Sequence, residues 1–337
     1  MSKQFIVDLK YGNEVSSLFS VKYKHPPRQY KNGFMFTVGL SDRTGEIEAT
    51  YWGGTDISKL QKVYDSFGVY DVVYISGLVG QFKSKQKIDI NEEKGAIRKT
   101  DDYDIEDFVG RTEKNIDELI LQLSEIIGSI SNPHLKALLN SFFDDVDWLE
   151  EFKNAPAAMY IHQAYIGGLL EHSLNVAGIC KAIWSIYPML DKDLLLTGAI
   201  LHDIGKIKEF QITTNIRITE EGMLRGHISL GEEMLLEKIK EIEEGSGRYH
   251  PSGSVESGGD ETIFPEILKF KLLHIMLSHH GRGEYGSPKE PQFPEAAAIY
   301  YADECDAKVF QYVQTKEEAA TEDFRTYSKR LGQIYLR

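Results

Sequence analysis

Apolar and polar positions in the first third of the chain follow the two-residue period of β-strands. Residues 45–52 alternate as GEIEATYW, and residues 34–40 form the strand-like run FMFTVGL. The segment DRTG at residues 42–45 separates these two runs and is typical of a hairpin turn. Residues 69–79 and 87–90 supply further strand-like runs. Residues 58–67, which precede them, are expected to form a short helix. The pattern predicts short strands over about residues 12–100.

The spacing of the apolar residues becomes helical after about residue 112. Ile116, Leu119, Leu123 and Ile127 recur at intervals of three and four residues. The change follows an acidic stretch at residues 100–107. The same kind of pattern predicts further helices at residues 133–152, 157–187, 191–204, 228–244, 264–280, 294–314 and 316–335. Almost all of the chain beyond the acidic stretch is therefore expected to be helical.

These two patterns predict the fold class. Five strands with one helix after the third strand are the arrangement of a small OB-type barrel. The predicted fold is multidomain α+β, an N-terminal OB-type β-barrel followed by an all-α helical bundle. We predict a barrel domain over residues 1–105, a helical linker over 106–150 and the helical domain over 151–337. Residues 244–262 are rich in Gly, Ser and Glu, which favours a flexible surface loop or insertion.

Charge leaves the question of a nucleic-acid ligand open. The formal net charge is -14, and an acidic protein does not attract nucleic acid through its overall field. The charge is uneven, however, because Lys22, Lys24, Arg28 and Lys31 follow one another with no acidic residue between them. Local basic patches decide such binding more than the total charge does.

Three properties bear on where the protein works. No run of about 18 apolar residues occurs, which argues against a membrane span. The first residues lack the charged and apolar regions of a secretory signal. The chain has two cysteines, so no disulfide framework is expected. We predict a cytoplasmic protein with no membrane partner.

The histidines are concentrated in the helical half. Seven of the ten lie between residues 172 and 280. Several of them, together with two aspartates, stand at helix ends or interrupt apolar runs: His172, His202, Asp203, His227, His279, His280 and Asp303. Imidazole and carboxylate together suit Mn, Fe, Co, Ni or Zn. Any one of these histidines could be an ordinary core residue, but the ordered set predicts a metal site. His250 and His274 are assigned no role.

Asp203 is the natural candidate to bridge two cations, because it adjoins His202 and is central in the order of the other candidates. Such a carboxylate can hold two metal ions about 3.5–4 Å apart for an in-line displacement. Lys206 follows Asp203 by three residues, so the two are expected to share one helical face or its immediate continuation. An ammonium group has only donors, so Lys206 would contact a phosphate rather than a metal ion.

With these residues in place, the sequence resembles the HD phosphohydrolase superfamily, whose pattern is H…HD…D on a helical bundle. The match consists of His172, His202-Asp203 and Asp303, the last within the D-x-x-D-A run of residues 303–307. By this resemblance, His172, His202, Asp203 and Asp303 hold one ion. Asp203, His227 and either His279 or His280 hold a second ion, and the sequence does not decide between those two histidines.

A closer resemblance, over most of the chain, is to the YhaM-type 3′–5′ exoribonucleases, which join an OB-fold to an HD domain. The segments that carry it are residues 162–173, 201–206, 226–228 and 279–288, with residues 42–45 and 51–52 in the barrel. The resemblance implies hydrolysis of single-stranded RNA, or of single-stranded DNA, to nucleoside 5′-monophosphates by a metal-activated water. It implies one or two divalent ions, with Mn preferred. The expected catalytic residues are Asp203, Lys206 and His202, and His162 is expected to contact substrate.

The barrel half would bind the single strand. OB barrels combine a basic groove with aromatic stacking platforms. The residues expected to bind nucleic acid are Lys22, Lys24, Arg28, Tyr30, Trp52, Lys83 and Lys85. Tyr51 and Trp52 point to opposite faces of their strand, so at most one of them is a platform. The lysines at 83 and 85 could equally guard a strand edge against aggregation.

Two other functions fit parts of the sequence. An HD phosphohydrolase acting on small nucleotides would use the same metal site but would have no evident use for the barrel. A non-catalytic single-strand-binding protein would keep the metal for structure, although the surplus of ligands and Lys206 argue against this. The sequence leaves RNA against DNA preference and homo-oligomerisation open.

Overall fold

The computed structural model describes residues 3–82, 85–159, 163–246, 263–317, 319 and 323–336. The chain divides into two compact units. The first consists of Met1–Arg111 with Ile212–Ile216, and the second of Thr112–Gln211 with Arg217–Arg337. The loop prediction for residues 244–262 falls mostly outside the described residues.

The first unit is a closed five-stranded barrel with a sixth strand added. The strand order is β1-β2-β3-β5-β4, and β4 pairs back onto β1 to close the barrel. Neighbouring strands run antiparallel except for the parallel pair β3–β5. The strands are β1 (Glu14–Tyr30), β2 (Gly33–Asp42), β3 (Gly45–Trp52), β4 (Val72–Phe82), β5 (Lys85–Asn91) and β6 (Ala96–Lys99). Helix α1 (Ile57–Asp65) follows the third strand, so the predicted OB-type topology is confirmed.

Alternation along the strands builds the interior of the barrel. Phe36, Val38 and Leu40 on β2 are fully buried, and the ring of Phe36 stacks on that of Tyr51 at 5.0 Å. The predicted hairpin is present, with Asp42 opposite Gly45. Its turn is held by the Asp42 carboxylate, which accepts the backbone N–H of Thr44 at 2.8 Å.

The second unit is built mainly of helices around one apolar core. Its helices are α2 (Ile116–Gly128), α3 (Pro133–Phe143), α4 (Val146–Asn154), α5 (Gly168–Ile186), α6 (Lys192–Leu201), α7 (Lys206–Glu209), α8 (Glu220–Ser246), α9 (Glu266–Ser278) and α10 (Pro294–Glu317). Every residue of α6 from Leu194 to Leu201 is buried, so this helix runs through the centre of the core. Leu123 of α2 and Phe142 of α3 belong to the same core. The proposed division into a barrel, a linker and a helical domain stays a prediction.

Two predicted helices between residues 133 and 187 need correction. The segment predicted as one helix over 133–152 is two, because Asp145 caps a new helix with its carboxylate on the N–H groups of Asp147 and Trp148. Helix α5 starts at Gly168 rather than at residue 157, after Gly167 in the left-handed region (φ 87°).

The prediction of a helix over residues 316–335 is wrong beyond α10. The chain instead forms a hairpin of β9 (Arg325–Ser328) and β10 (Gly332–Tyr335). Thr, Tyr and Ile favour strands, and Gly332 takes a positive φ where β10 begins after the turn. A second small hairpin joins β7 (Phe210–Ile212) to β8 (Ile216–Ile218).

Candidate metal centre

The predicted metal ligands converge from five places in the helical unit. His202 and Asp203 directly follow the buried helix α6, and each is 1% exposed. His172 lies in the buried first half of α5. The others lie after the Gly226 kink in α8, at the end of α9 and on α10, as His227, His279, His280 and Asp303. Because α6 is buried on every side from Leu194 to Leu201, the polar residues that directly follow it lie in the interior of the unit.

One cluster consists of His172, His202 and Asp303, all of them buried. The Nε2 atoms of His172 and His202 are 3.3 Å apart. Oδ1 of Asp303 lies 3.1 Å from Nε2 of His172 and 4.0 Å from that of His202. The ring of His202 places its Nδ1 2.8 Å from the Ala199 carbonyl oxygen, so Nδ1–H donates there and Nε2 faces the cluster.

The other cluster consists of His227, His279 and His280, and it is partly accessible. The Nε2 atoms of His227 and His280 are 3.0 Å apart. Nδ1–H of His279 donates to the Met276 carbonyl oxygen at 2.7 Å, which leaves its Nε2 directed into the cluster. The side chains of His227 and His280 are 16% and 25% exposed, whereas that of His279 is fully buried. This cluster is therefore the side from which a ligand can approach.

Asp203 lies between the clusters and turns one oxygen to each. Its Oδ2 is 3.4 Å from Nε2 of His172 and 3.3 Å from Nε2 of His202. Its Oδ1 is 3.6 Å from Nε2 of His227 and 3.4 Å from Nε2 of His279. This is the geometry expected of a carboxylate that bridges two cations.

Two buried atoms show that the donor set suits a metal ion. Oδ1 of Asp203 and Nε2 of His279 have no hydrogen-bond partner among the described residues, although they are only 3.4 Å apart. Both are acceptors, and leaving buried acceptors unsatisfied is costly. A divalent cation bound by both would satisfy them, so these residues could hold a metal ion.

The pKa shifts agree with a site built for positive charge. Burial lowers the pKa of His279 to about 3, helped by nearby His280, so its imidazole is the neutral form that binds metals. Burial alone would lower the pKa of His172, but its hydrogen bonds to three aspartates, Asp203 first, outweigh burial and raise it. Burial would raise the pKa of Asp203, yet the charge of Lys206 and neighbouring His202 hold it well below its usual range.

Lys206 lies inside the site. Its Nζ donates to Oδ2 of Asp203 at 2.6 Å, and the residue is 6% exposed. Asp203 lies in the turn between α6 and α7, and Lys206 is the first residue of α7, so the two side chains meet across the start of that helix. The ammonium group contacts the candidate bridging carboxylate in this structure.

Two carboxylates behind the clusters were absent from the predicted site. Asp306 accepts from Nδ1–H of His172 at 2.7 Å, and Oε2 of Glu209 lies 3.0 Å from Nδ1 of His227. A spacing signal was available, because each stands three residues after a predicted site residue: Glu209 after Lys206, and Asp306 after Asp303. Neither carboxylate is itself in the ligand pattern, so that pattern alone does not point to either of them.

The predicted basic residues of the barrel differ in accessibility. Lys22 forms an ion pair with Glu46, and Arg28 and Lys85 are exposed. Lys24 turns its ammonium group inward, onto the carbonyl oxygens of Tyr64 and Phe67 and over both rings. Burial lowers the pKa of Lys24. Lys83 and His162 lie outside the described residues.

The aromatic candidates of the barrel lie together on its outer surface. Tyr51 is buried in the core whereas Trp52 is half-buried on the opposite face, as the strand alternation predicted. The rings of Tyr30 and Trp52 meet edge to face at 5.0 Å. Arg28 pairs with Met35, which in turn pairs with Trp52, so the three side chains form a row on one face.

No helix among the described residues has both the length and the apolar character that crossing a membrane requires. His274, which was assigned no role, accepts the backbone N–H of Gln292 on its Nε2 at 3.0 Å. His250 falls outside the described residues.

A helical bundle with His172, the His202-Asp203 pair and Asp303 around one buried centre defines an HD domain, and the family model described as HD domain matches residues 169–308. The chain is 31% identical to the 3′-5′ exoribonuclease YhaM of Halalkalibacterium halodurans over 90% of its length and 86% of that protein. It is 33% identical to the protein of the same name from Shouchella clausii, covering 81% and 77% of the two chains. The chain belongs to the YhaM family of HD-domain proteins, which confirms the resemblance stated above.

Among solved structures, the OB domain of a Thermoplasma acidophilum protein matches 30% of this chain and 89% of its own, at 17% identity and a TM-score of 0.24. A likeness this slight supports no argument about function. The OB assignment of the barrel rests on its strand order and closure.

Proposed function

We propose that this protein hydrolyses single-stranded RNA from the 3′ end and releases nucleoside 5′-monophosphates. The observation that carries the proposal is the Asp203 carboxylate, which presents one oxygen to each of two histidine clusters. Its support from relatives is that proteins named 3′-5′ exoribonuclease YhaM match this chain over most of their length.

The metal ligands would divide between two positions. His172, His202 and Asp303 would hold one ion and His227, His279 and His280 the other, with Asp203 shared between them. When bound, such ions supply Lewis acidity and an activated water for attack on phosphorus. Neutral imidazoles mixed with carboxylates suit Mn²⁺, and also Fe, Co, Ni or Zn.

Lys206 would position the phosphate. Its ammonium group donates one hydrogen bond to Asp203 and has two further donors. A phosphate held next to the bridging carboxylate would place its oxygens within reach of those donors. His202 serves as a ligand whose orientation is held by its bond to Ala199, and substrate contact by His162 remains part of the proposal.

The outer face of the barrel would bind the rest of the strand. Trp52 and Tyr30 offer adjoining rings and Arg28 an exposed guanidinium in the same region, a combination that binds bases and backbone without sequence preference. Lys22, Lys83 and Lys85 would add charge along this unit. The inward-turned ammonium of Lys24 supports a structural role for that residue better than a role in binding.

Labelled substrates test the proposal. Full-length protein with Mn²⁺ is incubated with matched single-stranded RNA and DNA of one sequence, each labelled at either the 5′ or the 3′ end. We expect 3′-labelled RNA to release labelled mononucleotide at once and 5′-labelled RNA to shorten stepwise. Internal cuts, 5′-end release, or turnover of free nucleotides without turnover of oligomers would contradict the proposal. A cytoplasmic location, which this substrate suits, stays a prediction.

A further inference from the structure

The imidazoles of the two histidine clusters have the same kinds of hydrogen-bond partner at Nδ1. In each cluster, one imidazole is held at Nδ1 by a backbone carbonyl and another is paired at Nδ1 with a carboxylate. His202 and His279 donate to the carbonyls of Ala199 and Met276. His172 is paired with Asp306, and His227 with Glu209. Only the carboxylate partners can be changed by a side-chain substitution.

Asp306 is itself held from three directions. Its Oδ2 accepts from Nδ1–H of His172 at 2.7 Å and from Nε2 of Gln163 at 2.9 Å, and its Oδ1 accepts from Nδ2 of Asn175 at 3.0 Å. Gln163 is fully buried and has a left-handed backbone (φ 42°). Holding a residue in this region has a cost, and here it directs the amide onto Asp306. The carboxylate is therefore fixed before any ligand arrives.

Glu209 contacts His227 at two points. Its Oε2 lies 3.0 Å from Nδ1 of the ring, and its Oε1 accepts the backbone N–H of His227 at 3.1 Å. The backbone of Glu209 is fixed as well, because its carbonyl accepts the N–H of Thr219 at 2.9 Å. A Cβ at Gly222 would come within 2.4 Å of the same carbonyl oxygen, so α8 starts in close contact with Glu209. The carboxylate thus sets both the position and the rotation of the imidazole.

We infer that Asp306 and Glu209 are positioning residues that set the metal affinity of the two clusters separately, Asp306 for the cluster of His172 and Glu209 for that of His227. A carboxylate behind a ligating imidazole fixes its tautomer, directs Nε2 at the ion and raises its basicity. The two carboxylates act on different histidines, and neither contacts the other cluster's imidazoles in the contacts above. The inference deepens the proposed function and rests on it.

The difference in burial between the two clusters predicts the order in which they bind their ions. The cluster of His172 is wholly buried, whereas that of His227 is partly open to solvent. Low dielectric strengthens attraction between an ion and its ligands, and a closed site exchanges its ion slowly. We expect the buried cluster to fill first as Mn²⁺ is added, and the open cluster second.

Titration of the metal-stripped full chain with Mn²⁺, followed by electron paramagnetic resonance of the free ion and by calorimetry, tests the inference. The variants are Asp306→Asn and Glu209→Gln. Each is expected to weaken its own binding step by about 10- to 100-fold and to leave the other step in place. Glu241→Gln is the matched control, because this exposed α8 carboxylate pairs with Lys238 and lies fourteen residues beyond His227 along the helix. The control should titrate as the wild type does.

The outcomes separate the inference from the proposed function. A wild-type chain that binds no Mn²⁺ contradicts the proposed function. A wild-type chain with two steps, both unmoved or both moved equally by each variant, overturns the inference alone, because a merely structural role would act in that way. If Asp306→Asn loses its thermal unfolding transition, Asn175→Ala replaces it. That variant removes one of the three bonds to Asp306, and we expect a smaller shift of the same step.

Discussion

Gly205, two residues after Asp203, offers a sharp test of how the fold positions the open cluster. A Cβ built at this position would lie 1.9 Å from the carbonyl oxygen of His227 and 2.6 Å from the backbone nitrogen of Gly231. Both of those atoms belong to α8. The glycine therefore lets the start of α7 approach the turn of α8 that carries a candidate metal ligand. Gly205→Ala forces the two apart.

The distances from the added Cβ give the size of the effect that Gly205→Ala should have on stability and rate. To bring the new contact out to 3.0 Å, the backbone at His227 must retreat by about 1 Å, since packed interiors have no slack to absorb the methyl group. Overpacking of this kind costs about 1–3 kcal/mol of unfolding free energy. A displacement of about 1 Å at a reacting site costs about 10²-fold in rate. Because His227 is displaced but Asp306 is not, we expect the step assigned to the open cluster to lose Mn²⁺ affinity.

Gly178→Ala is the control. Gly178 lies exposed in the middle of α5, and its added Cβ would meet nothing within 4 Å. Alanine there should stabilise the helix by about 0.5–1 kcal/mol. Urea titrations followed by helical circular dichroism give the stability of each variant, and release of mononucleotide from 3′-labelled RNA gives the rate. If Gly205→Ala and Gly178→Ala have the same unfolding free energy and the same rate of mononucleotide release, the close approach of α7 and α8 does not position His227.

Three further results are expected. Mn²⁺ at about 100 times its dissociation constant should stabilise the wild-type chain by about 2.7 kcal/mol per site in thermal unfolding. Asp203→Asn should lose most of that stabilisation, and an equal stabilisation of the variant would contradict a carboxylate shared by two ions. Trp52→Ala should weaken binding of single-stranded RNA by about 1–3 kcal/mol in fluorescence anisotropy, and unchanged affinity would remove the outer barrel face from the proposal. Phe152→Ala should cost about 3–5 kcal/mol in urea, because this ring is fully buried and stacks on Trp148 at 5.3 Å; a loss below 1 kcal/mol would show that the core collapses around the gap.

The candidate metal ligands could be brought together from the sequence because each stands where an apolar helical run ends or is interrupted. His202 and Asp203 illustrate this, since they end the buried helix α6. The choice between His279 and His280 could not be made in the same way. The two are adjacent at the end of α9, and both lie in the same cluster: His279 faces Asp203 while His280 faces His227. Their directions depend on the ring rotations, which packing sets.

Other features escaped the sequence because they depend on distant parts of the chain. The partnership of Asp306 with Gln163 joins residues 143 positions apart. Lys24 looked like a basic residue for nucleic acid, but the fold brings the carbonyls and rings of Tyr64 and Phe67 to its ammonium group. The terminal hairpin of β9 and β10 was mistaken for a helix, because a short segment carries too few residues for periodicity to separate the two.

Electron paramagnetic resonance of the protein loaded with two equivalents of Mn²⁺ shows whether two ions share the Asp203 carboxylate. Two ions bridged by one carboxylate are close enough to couple magnetically. We expect the wild-type chain to bind two Mn²⁺ and to show the spectrum of a coupled pair, and Asp203→Asn to lose that coupling. Two uncoupled ions in the wild-type chain, or a coupled pair that survives in Asp203→Asn, would show that Asp203 does not bridge two ions.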